Sequence, residues 1–293
     1  LTHDKSLGNR LFDAVNIGML LLVSLVTLVP FLYIIAGSLA APEEVLRKTF
    51  ILFPDRFDWT AYRYIFSTDT VMKSLWVSTW ITVVGTAINL FMTGIMAYPL
   101  ARRDLPGRRP IMLLATFTMI FSGGMIPTFL VVKSFGLIDS YWSLMIPGAI
   151  SAFYLIILKN FFQQLPDGLE ESAKIDGCND FQIFYKIVVP LSKPALATLT
   201  LFYAVAHWNS YFSAILYINS STKWPVQVLL RQIVILSQGG IGDSSLFTDQ
   251  FVVPPAVTIK MAVIVVTMIP MLCMYPFIQS YFTKGIYLGS VKG

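Results

Sequence analysis

Charge is scarce in this chain. Asp, Glu, Lys and Arg make up 13% of its 293 residues, about half the share of an ordinary soluble domain. Cysteine is scarcer still, with Cys178 and Cys273 alone, too few for a disulfide framework or a thiolate metal site. The two histidines, His3 and His207, are far apart and have no ligand-type neighbours at metal or dyad spacing. No G-x-x-x-x-G-K-[ST] phosphate loop occurs. No catalytic residue, metal site or bound cofactor is expected, and the enzyme classes are set aside.

Apolar residues are what fill the chain, at 56%. A membrane-spanning helix needs ~20 of them in a row, and six runs qualify: 15–39, 75–99, 111–132, 141–162, 195–217 and 257–281. They are continuous and lack the period-two alternation of a membrane barrel. The expected fold is therefore an all-α integral membrane protein of six transmembrane helices. Pro30, Pro127, Pro147, Pro270, Pro276 and the Gly123-Gly124 pair fall inside these runs, where packed membrane helices tolerate them as kinks. No Asp, Glu, Lys or Arg stands near the middle of a run; Lys73, Lys159 and Lys260 lie toward run ends, where a long side chain reaches the interface. That argues against a proton- or sodium-coupled transporter, whose spans usually carry such groups.

The loop LARRDLPGRRP (residues 100–110) sets four arginines against one acid. It should face the cytoplasm, with both termini and the insert at 165–194. The segments 40–70 and 219–256 then lie outside. The net charge of +5 follows from this topology, with anionic lipid headgroups as counterions, and calls for no nucleic acid. The boundaries expected are an N-terminal segment 1–14, a span domain 15–281 and a tail 282–293.

The insert reads LPDGLEESAKIDGCNDFQIFYKIVVPLSKP. Pro166 marks a helix start, with Asp167 and Glu170 as a capping pair, and Gly177 after Asp176 suits a left-handed helix end. Asn179 and Gln182 form a second capping pair, opening a helix that Pro190 should stop. On it Phe181, Phe184, Tyr185 and Val188 fall on one helical face. Two short helices around a glycine turn, with Glu170, Glu171 and Lys174 exposed on the first, suit docking into a partner's groove.

Glu171, Ala173, Gly177, Ile187 and Pro190 stand at the spacing of the E-A-A coupling motif of bacterial ABC importer permeases. Ser172 and Val189 replace the usual alanine and leucine. The chain thus resembles that family, and specifically its carbohydrate, maltose-transporter-like branch. The resemblance implies a type I importer fold whose insert is the coupling helix docked on a cytoplasmic ATPase. It also implies two copies of that ATPase, which bind ATP and Mg, a second six-span permease, an external solute-binding protein and residence in the bacterial inner membrane. The ending YFTKGIYLGSVKG resembles a tail laid between the ATPases, at Lys284, Gly285, Gly289, Lys292 and Gly293. The segment around Trp59 and Tyr62 resembles the short outer helix after the first span. Trp224, Gln238, Gly239 and Gly240 fall in a loop like the one that probes the binding protein. The stretch 122–147 resembles permeases for larger oligosaccharides, alginate oligosaccharides among them.

For the translocation path, the mid-span polar and aromatic residues Asn89, His207, Trp208, Asn209 and Tyr211 are nominated, with interhelical hydrogen bonding as the alternative. An importer of peptides or amino acids, or a non-ABC transporter, are the other readings the sequence leaves open.

Overall fold

The apolar runs fold as helices because a backbone in lipid must satisfy its own hydrogen bonds. The structure, a computed structural model, describes residues 7–237 and 256–289. Among the described residues, three helices are long and apolar enough to cross a membrane: α1 (Leu7–Ser38), α4 (Asp69–Ala101) and α15 (Ala256–Gly289). Each carries proline inside it, at Pro30, Pro99 and Pro270 with Pro276. The last helix runs on across residue 281 to Gly289.

The other expected spans are broken, the third and fourth of them at residues named above. The third divides into α5 (Arg108–Ile120) and α6 (Met125–Ser134), bent by 118°. Gly124 makes that corner with φ of 82°, a conformation that glycine adopts at no steric cost. The fourth divides around Pro147-Gly148 into α7 (Trp142–Met145) and α8 (Ala152–Phe162). The insert forms α9 (Asp167–Ile175), α10 (Asp180–Ile183), a π-helical turn (Phe184–Val188) and α11 (Val189–Leu191). From there α12 (Lys193–Trp208) turns away by 81°, and α13 (Phe212–Tyr217) and α14 (Val226–Ser237) follow in the chain.

The chain divides into two compact units. One holds residues 1–69 and 230–268. In it, α2 (Pro42–Arg47) and α3 (Thr60–Ser67) fold back after α1, and Ala36, Ala40 and Ile51 pack together. Buried Glu44 accepts two bonds from the Asp55 N–H and pairs with Lys48. The exposed leucines of α1 suit a helix bathed in lipid.

The other unit holds residues 70–229 and 269–293. One of its clusters joins Val77, Ile81, Met145, Ala214 and Tyr217. A second joins Ala97 and Leu100 of α4, Leu158 and Phe162 of α8, Ala173 of α9, Ile183 of α10 and Leu199 of α12. This second cluster seats the insert on the spans.

Candidate functional site

The insert is held in shape by its own backbone. Helix α9 ends in a Schellman motif: the Cys178 N–H donates to the Ala173 carbonyl (2.9 Å) and the Gly177 N–H to Lys174 (3.0 Å). Gly177 takes φ of +79°, where a Cβ would be strained. Ala173 is buried beneath the turn, which explains a small residue there. Asn179 and Gln182 form a reciprocal capping box, both bonds 2.9 Å. The helix start falls at the expected place, with Pro166 in the cap position and Asp167 as the first helical residue.

Pro190 stands one residue before the second helix ends at Leu191. Without an N–H, and with a ring that would collide with the carbonyl four residues back, it follows a π turn. There the Val189 N–H reaches the Phe184 carbonyl, five residues away. A π turn slips the helical register, and this splits the expected apolar face. Val188, Ile183 and part of Phe184 go inward, whereas Phe181 and Tyr185 are 79% and 69% exposed.

Arg102, at the end of α4, ties the two insert helices together. Its guanidinium donates to Asp180 at 2.6 Å and faces Glu170 (3.9 Å) and Asp104 (3.5 Å). The side chain is 19% exposed. Beside it Gln163 donates to the Ala101 carbonyl at 3.0 Å. A cleft of about 250 Å³ opens here, lined by Arg102, Arg103, Glu170, Glu171 and Lys174. Glu171, Lys174, Asp176 and Gly177 are exposed, Glu170 is partly covered, and Ile187 packs against the cluster below. Pro190 is exposed. With Ile175 (87% exposed), Phe181 and Tyr185 uncovered, the insert presents an apolar edge ringed by charge. Such a surface fits a protein partner; the arrangement has no group poised for bond chemistry.

Several mid-span polar residues are hydrogen-bonded across the helices. The break at Pro147-Gly148 frees carbonyls, and buried Asn89 donates to Gly148 (2.6 Å) and Ala149 (2.9 Å). His207 donates from Nε2 to the Asn89 Oδ1 at 2.6 Å. The Tyr203 hydroxyl accepts from the Ser151 N–H (3.3 Å) and bonds Thr93 (2.9 Å). Asn89 and His207 thus hydrogen-bond at the broken span, and Trp208 is buried. Of the nominated path, Asn209 and Tyr211 stay exposed, with Asn209 accepting from Gln227 at 3.4 Å.

Among the residues nominated for an external partner, Trp59 is exposed and leans on Tyr62, whose hydroxyl bonds Ser38 at 2.7 Å. Trp224 packs against the Val77 cluster instead of standing free. Gln238, Gly239, Gly240, Lys292 and Gly293 lie outside the described residues. Lys284, Gly285 and Gly289 fall on the last turns of α15.

Two features escaped the sequence reading. Arg102 counted there as one topological charge among four. The second is a corner around Asp139, which holds φ of 58°. Its carboxylate accepts from the Asn219 N–H (3.0 Å), the Ser220 N–H (2.9 Å) and hydroxyl (2.7 Å), and Lys223 Nζ (2.7 Å). The Lys223 hydrogen bond, followed by those from Ser220, holds the carboxyl well below the ordinary carboxylate range.

Comparison with known proteins agrees with this geometry. Residues 76–287 match a family described as "Binding-protein-dependent transport system inner membrane component". The chain is 63% identical to the polygalacturonan/rhamnogalacturonan transport system permease protein YtcP of Bacillus subtilis, over 97% of this chain and 99% of that one. It is 55% identical to the protein LplC of the same organism, over 99% and 98%. It also superimposes with a TM-score of 0.87 and 33% identity on a chain of a bacterial ABC transporter involved in the import of the acidic polysaccharide alginate, covering 96% of this chain and all of that one.

Proposed function

The chain belongs to the family of binding-protein-dependent transport system inner membrane components, and from that membership we propose that it imports oligosaccharides of an acidic, uronate-containing polysaccharide. It is a transport subunit, not an enzyme, and supplies one half of a membrane path. The single observation that carries the substrate class is its 63% identity, nearly end to end, to a permease named for polygalacturonan and rhamnogalacturonan. The structural neighbour named for alginate points to the same chemistry.

In this reading an ATPase, which binds ATP and Mg, docks on the edge formed by Ile175, Phe181 and Tyr185, with Glu171 and Lys174 as its polar rim. One chain offers one such insert, so a second six-span permease carries the other and two ATPase copies complete the machine. The insert, the 100–110 loop and both termini face the cytoplasm, and the tail from 282 reaches the ATPase pair. An external binding protein meets the face that carries Trp59. Closure of the ATPases moves the insert as a rigid body and turns the spans between inward- and outward-open states. ATP can drive this only by favouring one state through different contacts, and a docked helix provides them. Asn209 and Tyr211 remain the pathway residues.

The test is to purify the tagged chain in mild detergent and identify what accompanies it by mass spectrometry. An ATPase and a second permease are expected. ATP turnover of the reconstituted assembly should rise with binding protein loaded with oligogalacturonate and not with a neutral maltodextrin. The reverse preference would remove the acidic substrate, and a chain without an ATPase would remove the importer.

A further inference from the structure

The segment between α1 and α3 carries exposed rings on a braced loop. Phe53 is 86% exposed and Phe57 70%, and Phe50 is exposed as well. Between them the backbone is held. Ile51 is buried against Ala36 and Ala40, and Lys48 Nζ donates to both Glu44 (2.9 Å) and Asp55 (2.6 Å). A phenyl ring gains by leaving water, so a fixed loop that turns three of them outward faces something apolar.

The position of the loop along α1 identifies it. Phe50 stacks on Tyr33, with ring centroids 5.3 Å apart and planes within 2°. Tyr33 precedes Ser38, the last residue of α1, by more than a turn, or ~8 Å along the axis. Its neighbours Phe31, Leu32 and Ile35 are exposed on a helix long and apolar enough to cross the membrane. The far side of the loop returns to the same helix end. Phe57 pairs with Ala40 in an antiparallel bridge, and the Asp58 N–H donates to the Leu39 carbonyl at 2.8 Å. The rings are thus continuous with the lipid-bathed surface of α1, at the depth where that helix leaves the bilayer. Arg47 and Arg56, both exposed, flank them; an arginine stem can lie on apolar surface while its guanidinium reaches a phosphate. Exposed rings with flanking cations are what a segment lying in the membrane interface presents.

We propose that Phe50, Phe53 and Phe57 form an interfacial foot, inserted among phospholipids at the headgroup–acyl boundary beside the end of α1. Because the Tyr62 hydroxyl bonds Ser38 at 2.7 Å, a foot at this depth also sets how far α3 stands from the bilayer.

The test places p-benzoylphenylalanine, a photoreactive relative of phenylalanine, singly at Phe50, Phe53 and Phe57. Val26, exposed within α1, and Glu43, an exposed acid on α2, are the reference positions. Each assembled complex is irradiated in nanodiscs of phosphatidylcholine, and intact-mass spectrometry counts the lipid adducts. The yield at positions 53 and 57 should approach that at 26 and exceed that at 43 about tenfold, the ratio that burial of a phenyl ring sets. A yield at 53 and 57 no higher than at 43 overturns the foot. Adducts to a second polypeptide in place of lipid also overturn it, and assign the rings to a protein interface. A position 26 that gives no lipid adduct would show α1 covered by protein and remove the continuity on which the foot depends. Should the change at Phe50 disturb its stack on Tyr33, positions 53 and 57 decide.

Discussion

At the insert, Arg102 reaches Glu170 and Asp180 and still leaves Ile175, Phe181 and Tyr185 in the open. At the Asp139 corner, both carboxylate oxygens, the Ser220 hydroxyl and the Lys223 ammonium are all used, and residues some eighty positions apart are stapled together. Both are loops organised by charge. The corner is finished within the chain; the insert is finished only by something else. Uncovered apolar side chains on a rigidly held frame mark an interface, whereas a saturated polar knot marks a brace. The difference separates residues that should govern coupling from residues that should govern stability.

The strongest way to break that distinction is Gly177→Pro. Proline fixes φ near −65°, and Gly177 sits at +79°. The Schellman turn cannot form with it, at a cost of ~3 kcal/mol or more. Substrate uptake and ATPase recovery should both collapse. Gly177→Asn, which tolerates the left-handed region, should retain part of each. Normal uptake by the proline variant would show that the turn is incidental.

Arg102→Gln comes next. It leaves Asp180 and Glu170 without their cation, at a cost of about 2 kcal/mol for a hydrogen bond to a charged group. ATPase co-purification should weaken more than thermal stability does. Lys223→Gln should do the opposite, lowering the melting temperature while the ATPase stays bound. If both variants lose stability and neither loses the ATPase, the contrast between frame and brace fails.

The elements that sequence revealed were those encoded locally. The E-A-A spacing, the left-handed Gly177 and the Asn179–Gln182 box are written in adjacent residues, and they stand in the structure as expected. Long-range partners were not legible. Nothing near Arg102 says that it meets Asp180, seventy-eight positions away, nor does Asp139 announce Lys223. The π turn escaped because a helical wheel assumes 3.6 residues per turn, and the proline at 190 changes that count. Asn89 was open to two readings, path lining or interhelical bonding, because the acceptors it meets, the carbonyls of Gly148 and Ala149, exist only once the fourth run has broken.

That break supplies a smaller test, away from the insert. A Cβ at Gly85 would stand 2.6 Å from the His207 Nε2, so Gly85→Ala must push the ring off Asn89. Overpacking of this kind costs about 1–3 kcal/mol. The melting temperature should fall by a few degrees, with ATPase recovery unchanged. Loss of the ATPase from this variant would mean that the brace and the frame are coupled after all.

The smallest effect is a pH dependence at the corner. The carboxyl of Asp139 is held below its unfolded value, so its contribution is complete above the unfolded pKa of ~3.9. It is lost as pH falls toward the folded value. Wild type should therefore melt above Asp139→Asn by a constant margin between neutral pH and about pH 5, and the margin should close as the medium is taken below about pH 4. Asparagine keeps the left-handed backbone accessible, so the comparison isolates the charge. A margin that instead grew on acidification would require a folded-state pKa above the unfolded one, which four donated hydrogen bonds to the ionised carboxylate do not allow.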